Sequence, residues 1–146
     1  MRILYYTWAE ANAKDVEECL KERNNIVDKI SFPIKDKLND IPFANYMGKL
    51  LEENVYDCIF TFDFFPIISK VAYAYGVKYI SWVYDSPNLT LYSKAVFNEC
   101  NFIFSFDRAE VIKLKAYGVQ HIYHMPLAVN TKRLEAILQD KWNKKR

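Results

Sequence analysis

Along this chain, short apolar runs alternate with segments whose apolar residues recur at helical spacing. Ile3 to Tyr6 suits a first strand. Asn12 can cap a helix through about Arg23, with Asp15 in its first turn and Ala13, Val16 and Leu20 on one face. Ile26 to Ser31 reads as a second strand. A polar stretch rich in Lys and Asp follows, and Phe43, Met47, Leu50 and Leu51 then mark an amphipathic helix starting near Asp40 and Pro42. Three more apolar runs each end on one acid: Ile59 to Asp63, Ser81 to Asp85 and Phe102 to Asp107, with the acids 22 residues apart both times. A helical segment is expected after each. Two of these segments close alike, in Ala74-Tyr75-Gly76-Val77 and Ala116-Tyr117-Gly118-Val119, where glycine supplies the left-handed cap that turns the chain back.

Strand and helix in strict alternation, with strands apolar on both faces, predict a Rossmann-like α/β fold: a three-layer parallel sheet covered by helices. The strands are expected near 2–6, 26–31, 57–62, 78–84, 101–106 and 121–124. Their expected order is 3-2-1-4-5-6 or its variant 2-1-3-4-5-6. The spacing of 22 is then the length of one strand–helix unit. No linker rich in Pro, Gly or Ser interrupts the units, so residues 1–130 read as one domain, with a helix over 131–146.

At 146 residues and 51% hydrophobic composition, the chain can bury a core of one domain's size. A formal charge of +2 does not by itself imply a nucleic-acid partner. No run is long enough to span a bilayer, and the first residues lack the features of a secretory signal. Cys19, Cys58 and Cys100 form no metal-ligand or paired motif and read as reduced thiols of a cytoplasmic protein. In the tail, Leu134, Ile137, Leu138 and Trp142 have helical spacing, and Lys141, Lys144, Lys145 and Arg146 follow. A basic amphipathic end can lie on an anionic membrane surface. The short apolar face favours instead a helix packed on the sheet with a solvated basic end.

Right-handed crossovers bring the C-terminal ends of parallel strands to one edge, where ligands bind. Asp63, Asp85 and Asp107 are therefore expected on one rim. Asp107 has cap spacing with Glu110 and reads as a helix N-cap. Asp85 is different, because Ser86 can cap and Pro87 suits a first helical position, which frees Asp85 for chemistry. Asp63 is intermediate. With only Gly48, Gly76 and Gly118, the chain has no phosphate loop. A three-carboxylate magnesium site would take two acids from capping roles, so neither metal nor cofactor is expected. His121 and His124, on or after a late strand, read as packed or surface side chains. Aromatics make up 16% of residues, and Trp8, Phe64, Phe65 and Tyr84 flank the rim. An aromatic face beside a carboxylate suits a sugar, whose C–H faces stack and whose hydroxyls donate to acids.

Three segments carry a resemblance: Phe60 to Pro66, Ser81 to Pro87, and His124 to Leu134. Together they resemble the N-terminal domain of bacterial two-domain GT-B glycosyltransferases, in particular the spore-maturation-protein-like group, in which this half is a domain of unknown function. The last segment is also similar to the P-x-G-V-D-x-x-x-F passage by which many retaining GT-B enzymes leave their first domain, departing from it at Ala128, Asn130 and Leu134. The resemblance implies a Rossmann-like acceptor-side domain, with residues 131–146 leading towards a second domain that holds most of the nucleotide-sugar donor. It implies half an enzyme, inactive as this chain alone, whose partner is a sugar-containing or other hydroxyl acceptor. On this reading Asp85 is the catalytic carboxylate, and Trp8, Glu10, Asp63, Phe64, Tyr84, Ser86, Asn88 and Arg108 line the acceptor site. The alternative is a non-catalytic α/β ligand-binding or interaction module using the same rim.

Overall fold

The computed structural model describes residues 1–143. Six strands, β1 (Arg2–Tyr6), β2 (Ile26–Ile30), β3 (Cys58–Phe62), β4 (Lys78–Val83), β5 (Asn101–Ser105) and β6 (Ile122–His124), form one sheet in the order β2-β1-β3-β4-β5-β6. Every pairing is parallel. This is the 2-1-3-4-5-6 variant. The helices are α1 (Ala13–Glu22), α2 (Ile41–Glu53), α3 (Pro66–Tyr75), α4 (Arg108–Ala116) and α5 (Thr131–Asn143). Among the described residues, no helix is long and apolar enough to cross a membrane. Lys144, Lys145 and Arg146 of the basic end lie outside the described residues.

Alternating side chains divide the core into two clusters across the sheet. One face of the strands packs Leu4, Ile59, Tyr79, Val83, Ile103 and Ile122 against α2, α3 and α4. The other packs Tyr5, Phe60 and Phe62 against Ala13, Val16 and Leu20 of α1. Asp40 starts α2 as expected: one carboxylate oxygen accepts from Phe43 N at 3.0 Å, the other from Lys35 N at 2.7 Å. These bonds, Phe43's foremost, hold its carboxyl below the usual range. Gly76 ends α3 at φ +67°, the left-handed cap expected of it.

Asn12 stands at the N-cap position of α1, but its side chain makes no cap hydrogen bond there, and two larger expectations fail as well. No α-helix follows β4; the chain makes two short 3-10 turns, Leu89–Tyr92 and Lys94–Phe97. Ser86 does not cap them. The Ser86–Pro87 peptide is cis, and Asn88 takes the cap, accepting from Thr90 N at 3.3 Å. The Asn88 and Thr90 side chains compete for backbone groups, Asn88 Oδ1 accepting from Thr90 N and Thr90 Oγ1 donating to Phe64 O, and favour such turns over a helix. The second failure is α5, whose apolar residues do not pack on the sheet. Leu134, Ile137, Leu138 and Trp142 are all exposed, and the start of the helix is tied instead to α1, by Arg133 to Asp15 at 3.2 Å and Lys132 to Glu22 at 3.5 Å.

Candidate functional site

At the C-terminal edge of the sheet, Asp107 does what cap spacing predicts. It heads α4 and accepts from Ala109 N at 2.9 Å and Glu110 N at 3.2 Å. Ser86 Oγ donates to its other oxygen at 2.5 Å. The Ser86 bond first, and the Glu110 amide next, hold its carboxyl below the ordinary carboxylate range. Glu110 does not close a capping box; it turns inward, where Asn88 N donates to it at 3.3 Å, and burial raises its pKa.

Asp63 is built quite differently. It sits at φ +56°, a left-handed conformation that Asp tolerates better than most residues. Its N–H continues the ladder to Trp82 O at 3.0 Å, and its own carbonyl accepts Thr61 Oγ1 at 2.6 Å. The residue is only 4% exposed, and Tyr84 N approaches its carboxylate at 3.4 Å. Burial, with the Asp85 charge second, pushes its pKa up to about 6. It caps nothing, because Phe65 stands at the N-cap position of α3 and Pro66 opens the helix without an N–H to satisfy.

Asp85 lies just beyond β4, exposed to solvent and close enough to Asp63 to raise its pKa. The side chain has no capping role, although not for the expected reason, since Ser86 is engaged with Asp107. Beside this pair, Trp8 is 40% exposed and lies nearly parallel to Tyr84, with ring centroids 6.4 Å apart and planes 14° apart. Its indole N–H donates to Phe62 O at 3.3 Å, and the edge of Phe62 meets Tyr84 at 5.3 Å. Burial first, then the charges of Asp63, Asp85 and Glu10, push the Tyr84 hydroxyl up to about 12.

Glu10 holds this arrangement from below. It is buried, and its oxygens accept from Thr7 Oγ1 at 3.0 Å, from Trp8 N at 2.9 Å and from the hydroxyl of Tyr5. These bonds fix the β1–α1 loop, in which Ala9 is left-handed at φ +72°, and so aim Trp8. Thus Trp8, Tyr84, Asp63 and Asp85 come together on the rim, supported by Glu10.

The remaining expected residues lie elsewhere. Phe64 is wholly buried against Tyr79 at 5.7 Å, and Phe65 is buried against Tyr6 at 5.4 Å. Asn88 is buried and spends its amide oxygen on Thr90. Ser86 belongs with Asp107, and Arg108 is exposed in the first turn of α4. One residue went unnoticed in the sequence: Lys37, whose ammonium lies 5.0 Å from the Phe65 ring centroid and whose charge acts to lower the Asp63 pKa. The only sign of it is the Lys- and Asp-rich stretch before α2. Among the described residues, no three His, Cys, Asp or Glu side chains are grouped to hold a metal ion.

No family model and no curated protein matches the sequence.

Proposed function

We propose that this chain is the acceptor-binding half of a cytoplasmic glycosyltransferase that takes its sugar from a nucleotide-sugar donor held mainly by a second domain. The reading rests on one observation: a solvent-facing acid, Asp85, lies beside a buried acid whose pKa is about 6 and beside the stacked pair of exposed Trp8 and half-buried Tyr84. Perturbed carboxylates cluster at functional sites, and ligands of open parallel sheets bind at the strand-end edge. The segments that resemble GT-B enzymes include both acids, and the chain has no phosphate loop of its own.

In this reading a sugar-containing acceptor stacks a C–H face on Trp8. Its hydroxyl donates to Asp85, which takes the proton as the acceptor oxygen bonds to the anomeric carbon. The bond from that carbon to the nucleoside diphosphate breaks, and the diphosphate leaves with the electron pair. Asp63 does not touch the acceptor. It positions Tyr84, whose backbone N lies 3.4 Å from its carboxylate, and is ionised above about pH 6.

Isothermal titration of the chain with common nucleotide-sugars tests the division of labour. No tight binding and no turnover are expected. Sub-micromolar affinity for a donor would contradict it.

A further inference from the structure

The two faces of the sheet are covered unequally. On the face opposite α2, α3 and α4, α1 covers β1, β2 and β3, while the outer strands carry a row of half-buried or exposed aromatics. Trp82 on β4 stacks on Phe62 at 5.4 Å, and Phe104 on β5 stacks on Tyr123 of β6 at 5.5 Å. Phe102 lies in the same row beside His121 at 5.2 Å. A row of apolar side chains left partly open on a sheet face is a place where another element can dock. One such element is unpaired: α5 begins on the α1 side, held by the Asp15 and Glu22 ion pairs and by Asn130 Nδ2 to Asp15 Oδ1 at 3.1 Å. Its stripe of Leu134, Ile137, Leu138 and Trp142 faces solvent, with Trp142 67% exposed.

We propose that α5 is a strap that leaves its latch on α1 and lays this stripe on the open face formed by Trp82, Phe102, Phe104 and Tyr123. The dimensions agree. From Leu134 to Trp142 a helix rises about 12 Å, and β5 extends about 16 Å. The connection 125–130 between β6 and α5 reaches at most about 20 Å, four strand spacings of about 4.8 Å, so it spans from β6 either to α1 or back over β5. A helix running back over the strand before it is the ordinary β–α arrangement, and connections of this length are usual for it. The latch is exposed on the α5 side, with Arg133 and Lys132 largely in water, so it holds weakly. Closure removes apolar surface from water on both partners.

Disulfide trapping tests this. In a Cys19→Ser background, Phe104→Cys with Ile137→Cys should oxidise to an intramolecular bond at a rate independent of protein concentration, and Arg133→Ala should speed it several-fold. A bond that forms only between two chains, faster as concentration rises, assigns the open face to a second copy and overturns the strap; so does no bond at all. A second measurement leaves the core intact: the difference in fluorescence between the unaltered chain and Trp142→Phe isolates Trp142. Closure predicts blue-shifted emission shielded from iodide, and more so with Arg133→Ala. Emission typical of indole in water in both proteins would contradict the proposal.

Discussion

Asp63 and Asp107 end sister strands and sit in opposite environments. Asp107 faces two backbone amides of its own helix and the Ser86 hydroxyl, and every contact favours its charge. Asp63 is buried in a left-handed turn with the Tyr84 and Asp85 amides near its carboxylate and a second acid beside it, and the balance opposes its charge. The first arrangement is what helix capping demands. The second lowers stability at neutral pH, which under the proposed function is the cost of a residue that serves the site. What separates them is burial first, then the neighbouring charge of Asp85 at Asp63 against the Ser86 hydroxyl at Asp107.

The largest expected effect is at Asp63. Its folded pKa of about 6 lies above the ordinary 3.8. Between these values the folded state holds more proton than the unfolded chain, so stability falls as pH rises through that window and is fully present only below it. Asp63→Asn keeps the left-handed backbone and removes the charge. It should stabilise the protein by about 1–2 kcal/mol at pH 7, the full shift being discounted for the nearby solvent. The gain should vanish as pH falls from 6 to 4. Melting of both proteins across pH 4–8 checks this, and a constant gap would dissolve the contrast between the two acids.

Asp107→Ala should act in the opposite direction, lowering Tm by about 2–6 °C through loss of the cap. It should leave sugar binding at the rim unchanged in titrations. The smallest stability effect belongs to Asp85→Asn, within about 0.5 kcal/mol by denaturant unfolding, since its side chain is exposed. If Asp85→Asn melts the domain while Asp107→Ala does not, the two acids have been assigned the wrong way round.

Local rules made much of this molecule legible. The periodicity located all six strands to within two residues at each end, and the caps at Asp40, Gly76 and Asp107 follow from residue type at a helix boundary. What escaped depended on contacts distant in sequence, on backbone sign, or on side-chain bonds made just past a strand end. The left-handed turn at Asp63 is followed by Phe64 and Phe65 in the core, and an Asp in a run of aromatics gives no notice of it. Ser86 looked like a cap because its partner, Asp107, is one strand away. Glu10 looked like a ligand group, whereas Tyr5 and Thr7 on either side of the strand end engage both its oxygens.

The proposed function requires that Trp8, Tyr84 and Asp85 receive a sugar-bearing acceptor. Two-dimensional amide and indole NMR of the chain, titrated with a panel of neutral mono- and oligosaccharides, tests it directly. The expected result is saturable shifts at the Trp8 indole N–H and the Tyr84 and Asp85 amides for at least one sugar, with weaker binding of that sugar by Asp85→Asn. If no sugar in the panel shifts these signals, or the shifts fall elsewhere on the domain, the acceptor-site reading is contradicted.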